Sequence, residues 1–121
     1  MSTEKEKFIK MMKFKTRSFA IGIICFCNSL KRSKASSVIT YQLIKSATST
    51  GANYRAACKA RSRKEFYSKL CIVAEEADET MFWLEVISGA GLYNDKNELK
   101  KLHNEALEIT KVITKAKSNV Y

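Results

Sequence analysis

Proline is absent from this chain of 121 residues, and glycine occurs only four times, at positions 22, 51, 89 and 91. Tight turns between strands draw on these two residue types, so their scarcity argues against a strand-rich domain. Hydrophobic residues make up 45% of the sequence, which is enough for one buried core in a chain of this length. Together these features favour a single domain built from a few long helices.

Residues that could form a metal or catalytic site are also scarce. Histidine occurs once, as His103, and no Cys-x-x-Cys pair or Cys/His cluster has the spacing of metal ligands. There is no glycine-rich phosphate loop, and a lone histidine without an evident carboxylate partner is weak support for nucleophilic catalysis. We therefore predict no catalytic residue, no metal, no cofactor and no enzymatic activity. The four cysteines, in apolar helical stretches, predict buried, reduced thiols and a cytoplasmic location: Cys25, Cys27, Cys58 and Cys71.

One segment imitates a secretion signal. A basic stretch at residues 13–17 precedes an apolar stretch at residues 18–30. No small-residue cleavage site follows, more basic residues come next, and the apolar stretch is too short to span a bilayer. We expect neither secretion nor a membrane partner. Binding of an anionic membrane through residues 1–30 is a weaker alternative.

Apolar residues recur at steps of three and four in four segments, which indicates four amphipathic helices. They are predicted to begin near residues 15, 36, 63 and 95, and Ser62–Glu65 and Asp95–Glu98 have the pattern of capping boxes. The connections are short, which places successive helices antiparallel. The predicted fold is an all-α, up-down-up-down four-helix bundle over residues 15–121. A lysine-rich N-terminal arm, residues 1–14, is predicted to be partly ordered.

Basic residues outnumber acidic ones by 22 to 12, giving a net charge of +10, and the excess lies in the first half of the chain. Such asymmetry favours a polyanionic partner, with nucleic acid ahead of a membrane. Residues 31–34 and 61–64 lie at opposite ends of such a bundle and cannot form one patch within a subunit, so a single basic wall along the helices is the more coherent surface. It would contain Lys45, Arg55 and Lys59. The candidate nucleic-acid-binding residues are Lys13, Lys15, Arg17, Lys31, Arg32, Lys34, Lys45, Arg55, Lys59, Arg61, Arg63 and Lys64.

A second group of residues is assigned to packing or to subunit contacts. The segment from residue 44 to 61 has helical spacing but a small, polar middle, and Gly51 within it indicates a close approach of two helices. Asn53 and Ser49 are predicted to meet Glu79 inside the bundle, although the acidic cluster at residues 75–79 also fits a solvated face. Aromatic residues at 82 and 83 fit either the core or a subunit interface. The full group is Ser46, Ser49, Gly51, Asn53, Glu79, Phe82 and Trp83.

Four strings of the sequence have a familiar order and spacing. They are SATSTGANYRAA at residues 46–57, SRKEFYSKL at 62–70, EADETMFWL at 76–84 and LHNEALEITKVIT at 102–114. In this arrangement the chain resembles the four-helix-bundle proteins encoded in intervening sequences of bacterial 23S ribosomal RNA genes. The resemblance covers approximately residues 13–116.

The resemblance implies a small, cytoplasmic bacterial bundle that assembles as a homopentamer. It further implies a likeness in shape to the accessory variability determinant proteins of retroelements, which bind nucleic acid and work with a reverse transcriptase. It supplies no catalytic residue. We therefore expect a non-enzymatic protein that binds nucleic acid, preferably RNA, as a homo-oligomer. The alternative is a structural adaptor that docks a protein partner such as a reverse transcriptase or polymerase.

Overall fold

The computed structural model describes residues 1–121, and its regular secondary structure is entirely helical. The four helices are α1, Glu4–Ser29; α2, Lys34–Cys58; α3, Arg63–Gly89; and α4, Lys96–Ser118. The predicted all-α class is therefore confirmed.

Successive helices run antiparallel. Each helix packs against the next one in the sequence, and α1 also packs, least extensively, against α4. At one end of the bundle Phe26 and Tyr93 meet edge to face, with ring centroids 4.9 Å apart. At the other end Tyr67 meets Tyr121, with centroids 5.4 Å apart. Since these pairs join the end of α1 to the start of α4, and the start of α3 to the C-terminus, the order is up-down-up-down.

The first helix begins at Glu4 rather than near residue 15. Thr3 caps it: the Thr3 hydroxyl accepts a hydrogen bond from the Glu6 amide at 3.0 Å, and the Glu6 carboxylate accepts one from the Thr3 amide at 3.4 Å. This reciprocal capping box satisfies two amides that a helix start would otherwise leave free. From Glu4 onward, residues of the N-terminal arm are therefore continuous with α1.

The second helix also begins slightly before its predicted start. The Ser33 hydroxyl accepts from the Ser36 amide at 3.0 Å, and the Ser36 hydroxyl accepts from the Ser33 amide at 2.9 Å. A serine at the third helical position thus takes the role that glutamate or glutamine has in the usual capping box. The helix ends at Cys58.

The starts of α3 and α4 lie where the sequence predicted them, with simpler caps. Ser62 accepts from the Glu65 amide at 3.0 Å, and Asp95 accepts from the Glu98 amide at 3.1 Å. Neither glutamate returns the bond to the cap residue; the Glu98 carboxylate instead accepts from the Tyr93 hydroxyl at 3.2 Å. One-sided side-chain caps are therefore present where capping boxes were predicted.

Gly91 ends α3 because its backbone has a φ of 67°, a region that other residues enter only with strain. The Leu92 amide donates to the Ile87 carbonyl at 3.1 Å, and the Gly91 amide donates to the Ser88 carbonyl at 3.2 Å. This pair of bonds is a Schellman motif. It turns the chain sharply into the start of α4.

One cluster of 21 buried hydrophobic residues forms the core and draws on all four helices. The apolar stripe predicted for α4 is confirmed at its first five positions, which are all buried: Leu99, Leu102, Ala106, Ile109 and Ile113. Further along that stripe, Ala116 and Val120 are only half-buried. None of the four helices has an apolar stretch long enough to cross a membrane.

Candidate nucleic-acid interface

The excess of positive charge lies on one pair of adjacent helices. From Lys7 to Lys64 the chain has 14 basic residues and no acidic residue, and this stretch contains nearly all of α1 and the whole of α2. Because α1 and α2 pack side by side, their outer surfaces are neighbours. The fold therefore concentrates the cations on the α1–α2 hairpin.

The register of this hairpin is fixed by a close contact. A methyl group placed on Gly51 would lie 3.4 Å from the carbonyl oxygen of Thr16, so α2 approaches the α1 backbone there to within the ordinary contact distance of one methyl group. Counting 1.5 Å per residue in opposite directions from this point, Lys13 is level with Tyr54. The predicted close approach at Gly51 is thus present, and its partner is α1.

This register places five exposed cations at neighbouring levels of α1 and α2. We call the surface that they form the basic face. Lys10, Lys13 and Arg17 recur at steps of three and four on α1, and Arg55 and Lys59 lie at the corresponding levels of α2. None of the five has a carboxylate oxygen within 4.0 Å of its side-chain nitrogen atoms. Their charges are therefore available to an anionic partner.

One member of the basic face was missing from the sequence candidates. Lys10 falls within residues 1–14, which were predicted to form an arm separate from the first helix. Once α1 begins at Glu4, the three-and-four spacing places Lys10 on the same stripe as Lys13 and Arg17. The Arg17 guanidinium also lies 5.9 Å from the centre of the Phe14 ring, a cation–π contact that helps to position it.

The candidate cations at the first two helix connections lie at opposite ends of the bundle. Residues 31–34 lie where α1 passes into α2, at the end farthest from Lys59, and Lys31, Arg32 and Lys34 are all exposed there. Residues 61–64 lie where α2 passes into α3 and adjoin Lys59. Only the connection between α2 and α3 is thus continuous with the basic face. There the Arg61 guanidinium lies 4.0 Å from the Glu65 carboxylate. The other cations of this connection are Arg63 and Lys64.

Two other candidates are directed towards carboxylates. The Lys15 ammonium is bonded to the Glu108 carboxylate of α4, so Lys15 faces the α1–α4 seam and not the basic face. Lys45 is exposed on α2, but it lies near Glu76 of α3. Burial, followed by repulsion from Glu79, raises the pKa of the Glu76 carboxyl, and Lys45 partly opposes that rise. Of the three residues predicted to form the basic wall, Lys45 is therefore the one whose positive charge is most offset by a nearby carboxylate.

The predicted polar cluster is divided into two separate pairs. The Asn53 amide donates to the Ser49 carbonyl at 2.9 Å and to the Ser49 hydroxyl at 3.0 Å, one turn back on the same helix. The Glu79 carboxylate instead accepts from the Trp83 indole at 3.2 Å. The predicted contact of Asn53 and Ser49 with Glu79 is therefore absent, because each group finds a partner within its own helix.

A different polar contact joins α2 to α3. The hydroxyls of Ser46 and Thr80 share a hydrogen bond of 2.8 Å, and both residues are fully buried. Thr80 also bonds to the Glu76 carbonyl at 2.8 Å, so neither hydroxyl is left without a partner. Ser46 is thus a packing residue, as predicted, but its partner is Thr80.

Comparison with known protein families shows what this chain is similar to. The sequence model described as "23S rRNA-intervening sequence protein" matches residues 10–115. The chain belongs to the 23S rRNA-intervening sequence protein family. None of the curated proteins matches the chain.

A solved structure supports the same assignment. It is a crystal structure of a protein of unknown function from the S23 ribosomal protein family of Bacteroides thetaiotaomicron, with 31% sequence identity and a TM-score of 0.85. The match covers 92% of this chain and 98% of the other. The part matched by the 23S rRNA-intervening sequence protein family begins at Lys10, so it contains the whole basic face.

Aromatic residues on α3 lie at the surface of this family member. Phe82 is 53% exposed, and its ring packs edge to face on Trp83 with centroids 5.0 Å apart. Trp83 is half-buried against the core. The pair thus connects the core to an apolar spot on the surface, and this arrangement fits the interface alternative for Phe82 better than a core position.

Two expectations about reactive side chains are wrong. No carboxylate partner for His103 was evident from the sequence, yet the His103 Nε2 atom lies 2.9 Å from a Glu85 carboxylate oxygen of α3. Cys25 is exposed, although buried cysteines were expected, while Cys27 is buried and its pKa is raised by burial to about 11. All four thiols are free, and no three potential ligands of a metal ion come together.

Proposed function

We propose that this protein is a non-enzymatic nucleic-acid-binding module that uses the basic face, with RNA as the preferred partner. One observation carries the proposal: the α1–α2 hairpin has no carboxylate after Glu6, and the cations of its basic face are exposed and unpaired. Lysine and arginine side chains of this kind neutralise phosphates and release condensed counterions. The family's description, which refers to ribosomal RNA, favours RNA over DNA.

The non-enzymatic part of the proposal rests on the surroundings of the single histidine. The His103 ring bonds to Glu85 and to no serine, threonine or cysteine that it could activate. Binding is therefore the function that these side chains support.

The decisive measurement is RNA affinity as a function of salt. Fluorescence anisotropy with a labelled RNA hairpin should give an observed binding constant that falls steeply between about 0.05 and 0.2 M salt. The test variant replaces Lys13, Arg17 and Arg55 by glutamine. We expect it to weaken binding by roughly tenfold or more and to reduce the salt slope by about one for each phosphate that is no longer neutralised.

A matched control removes the same charge from another helix. Lys100, Lys101 and Lys111 are exposed on α4 and have no carboxylate partner. Their replacement by glutamine should leave affinity within about threefold and the salt slope nearly unchanged. Equal weakening in the two variants, or binding that does not respond to salt, would contradict a localised basic face.

We further propose that the chain works as a homo-oligomer, and the resemblance of its sequence favours a homopentamer. Support comes from large apolar side chains at the surface, including Phe14 at 62%, Tyr41 at 65% and Phe82 at 53% exposure. Their burial between subunits would contribute about 25 cal/mol for each Å² removed from water.

Sedimentation equilibrium should give a mass several times that of one chain, and Phe82→Ser should shift it towards monomer. Tyr121→Ser, at the C-terminus, is the control. A monomeric wild-type protein would contradict this proposal.

A second candidate function is a structural adaptor that docks a protein such as a reverse transcriptase or polymerase. The exposed Phe82 next to Trp83 favours it, because aromatic residues are enriched in protein interfaces. Capture of a purified partner that survives nuclease treatment and disappears in Phe82→Ser would support the adaptor. Capture that nuclease treatment abolishes would support RNA binding.

A further inference from the structure

A cleft lies at the end of the bundle where the first turns of α1 meet the end of α2, the start of α3 and the end of α4. We call it the end cleft. Its volume is about 970 Å³, and 11 of its 15 lining residues are hydrophobic. It opens because α1 and α4 pack least extensively of the neighbouring helix pairs. The walls of the end cleft include Phe8, Ile9, Tyr54, Phe66, Leu70 and Val112.

The end cleft differs from the basic face in its chemistry. Three cations line it, Lys5 of α1, Arg63 of α3 and Lys115 of α4, and no carboxylate does. None of the three takes part in an ion pair. Cations from three helices thus border the apolar walls, and none of them is neutralised by an ion pair. A phosphodiester chain would meet the charges but leave the apolar walls uncovered.

A buried polar group also borders the end cleft. Tyr54 is 2% exposed, and burial, together with the neighbouring Cys58 thiol, raises the pKa of its hydroxyl well above the ordinary value. The hydroxyl therefore keeps its proton well above neutral pH, and Tyr54 brings no negative charge to the end cleft. Mostly apolar walls with a few polar groups are typical of small-molecule sites, and the volume falls in their range of about 300–1,000 Å³.

We infer that the end cleft binds an amphiphile with one anionic head group and one unbranched apolar chain, of the fatty-acid class. The apolar chain lies against Phe8, Phe66 and Val112, and the head group meets Arg63 and Lys115 near the mouth. Six of the lining residues lie outside the span that the family model matches, among them Lys5, Phe8 and Ala116. The end cleft is therefore partly built from residues that the family model does not cover.

The inference is tested by competition on the full-length protein. The probe is dansylaminoundecanoate, whose fluorescence rises in an apolar site, and the competitors are dodecanoate and dodecanol below their aggregation limits. Dodecanoate should displace the probe at a concentration at least about tenfold lower than dodecanol, because only the acid presents a charge to the unpaired cations. Equal displacement by the two would overturn the assignment of an anionic head group.

Two variants and one control locate the site. Arg63→Gln combined with Lys115→Gln should reduce the preference for the acid to less than about threefold. Lys31→Gln combined with Arg32→Gln removes the same charge at the opposite end and should leave it unchanged. Ala116→Phe places a ring in the end cleft and should abolish probe binding, with its helical circular dichroism retained. Probe binding unaffected by Ala116→Phe, or abolished equally in the control, would place the ligand elsewhere.

A final arm separates the possible sources of the ligand. The same head-and-chain chemistry comes from a free fatty acid or from an anionic lipid in a bilayer. Co-sedimentation with phosphatidylglycerol vesicles that Ala116→Phe abolishes supports the lipid, and displacement by dodecanoate without co-sedimentation supports the free acid. Probe binding that falls as protein concentration rises would show that a second copy of the chain fills the end cleft, and would overturn the inference.

Discussion

The α1–α2 hairpin and the α3–α4 hairpin contribute similarly to the core but differ in surface charge. Residues 1–64 contain 15 basic and two acidic side chains, whereas residues 65–121 contain seven basic and ten acidic ones. The core cluster takes ten of its 21 residues from the first part and eleven from the second. Because the buried contributions are alike, the charge asymmetry is not a consequence of how the bundle packs. It is a property of the surface alone, and our proposal of nucleic-acid binding rests on it.

The helix contact inside the first hairpin also differs in kind from the contact between the two hairpins. Gly51 lets the backbones of α1 and α2 approach each other at Thr16. Between the hairpins, α2 and α3 are linked by the buried hydroxyls of Ser46 and Thr80. The first hairpin thus has a close helix contact at a glycine, and a hydrogen bond contributes to the register between hairpins.

The largest expected effects come from truncating the core on either side. Leu43 of α2 and Leu84 of α3 are 0% and 1% exposed. Leu43→Ala and Leu84→Ala should each lower the free energy of unfolding by about 3 kcal/mol, since both remove buried methyl groups and leave a cavity. Urea unfolding followed by circular dichroism measures this, and Val38→Ala on the exposed face should change it by less than about 0.5 kcal/mol. A much smaller decrease for Leu43→Ala would break the equality of the two hairpins.

The next effect concerns the close approach within the first hairpin. Gly51→Leu forces a branched side chain against the Thr16 backbone and should destabilise the protein by about 1–3 kcal/mol. Gly51→Ala should be neutral or slightly stabilising, because its methyl group reaches only ordinary contact and alanine favours the helix by up to about 1 kcal/mol. Gly22→Leu is the control, since nothing lies within 4 Å of a methyl group there. Thermal unfolding measures the stability of both leucine variants. Equal destabilisation by Gly51→Leu and Gly22→Leu would disprove the contact.

The smallest effect concerns the boundary between the hairpins, where Glu76 lies near Lys45. The pKa of Glu76 is raised in the folded protein, chiefly by burial, so the folded chain binds this proton more tightly than the unfolded chain. Ionised Glu76 therefore opposes folding at neutral pH, and the opposition fades as pH falls through the folded pKa. Glu76→Gln should raise the free energy of unfolding by less than about 1 kcal/mol at neutral pH, because solvent screens the group.

The pH dependence distinguishes this effect from a change in helix propensity. The advantage of Glu76→Gln should disappear in mildly acidic solution, where the wild-type carboxyl is protonated as well. Asp78→Asn, an exposed change on the same helix, is the control and should show no such closing difference. A stability gain that persists at low pH would exclude ionisation as its cause.

Most of the fold could be predicted from local sequence features. The spacing of apolar residues in α4 predicted its buried stripe, and Ser62 and Asp95 marked the starts of two helices. The start of α1 was missed because the Thr3–Glu6 capping box lies in a lysine-rich stretch that resembles a frayed terminus. That omission also removed Lys10 from the candidate surface.

The candidate interface was harder to predict, because exposure and pairing depend on neighbours that are distant in the sequence. Lys13 and Lys15 are two residues apart, yet one is free on the basic face and the other is bonded to α4. The partner of Glu79 was also missed, and it proved to be Trp83 on its own helix. A pattern of charges gives the residue types on a surface, but not which of them remain unpaired.

By itself, the sequence determined four helices, their approximate ends and a strong excess of cations in the first half of the chain, because apolar periodicity, capping and composition are local properties. Only the tertiary structure decided which cations form the basic face, which three converge on the end cleft and which are neutralised. The physical reason is distance through space: Lys15 and Glu108 are separated by 93 residues along the chain and become partners only when α1 packs beside α4.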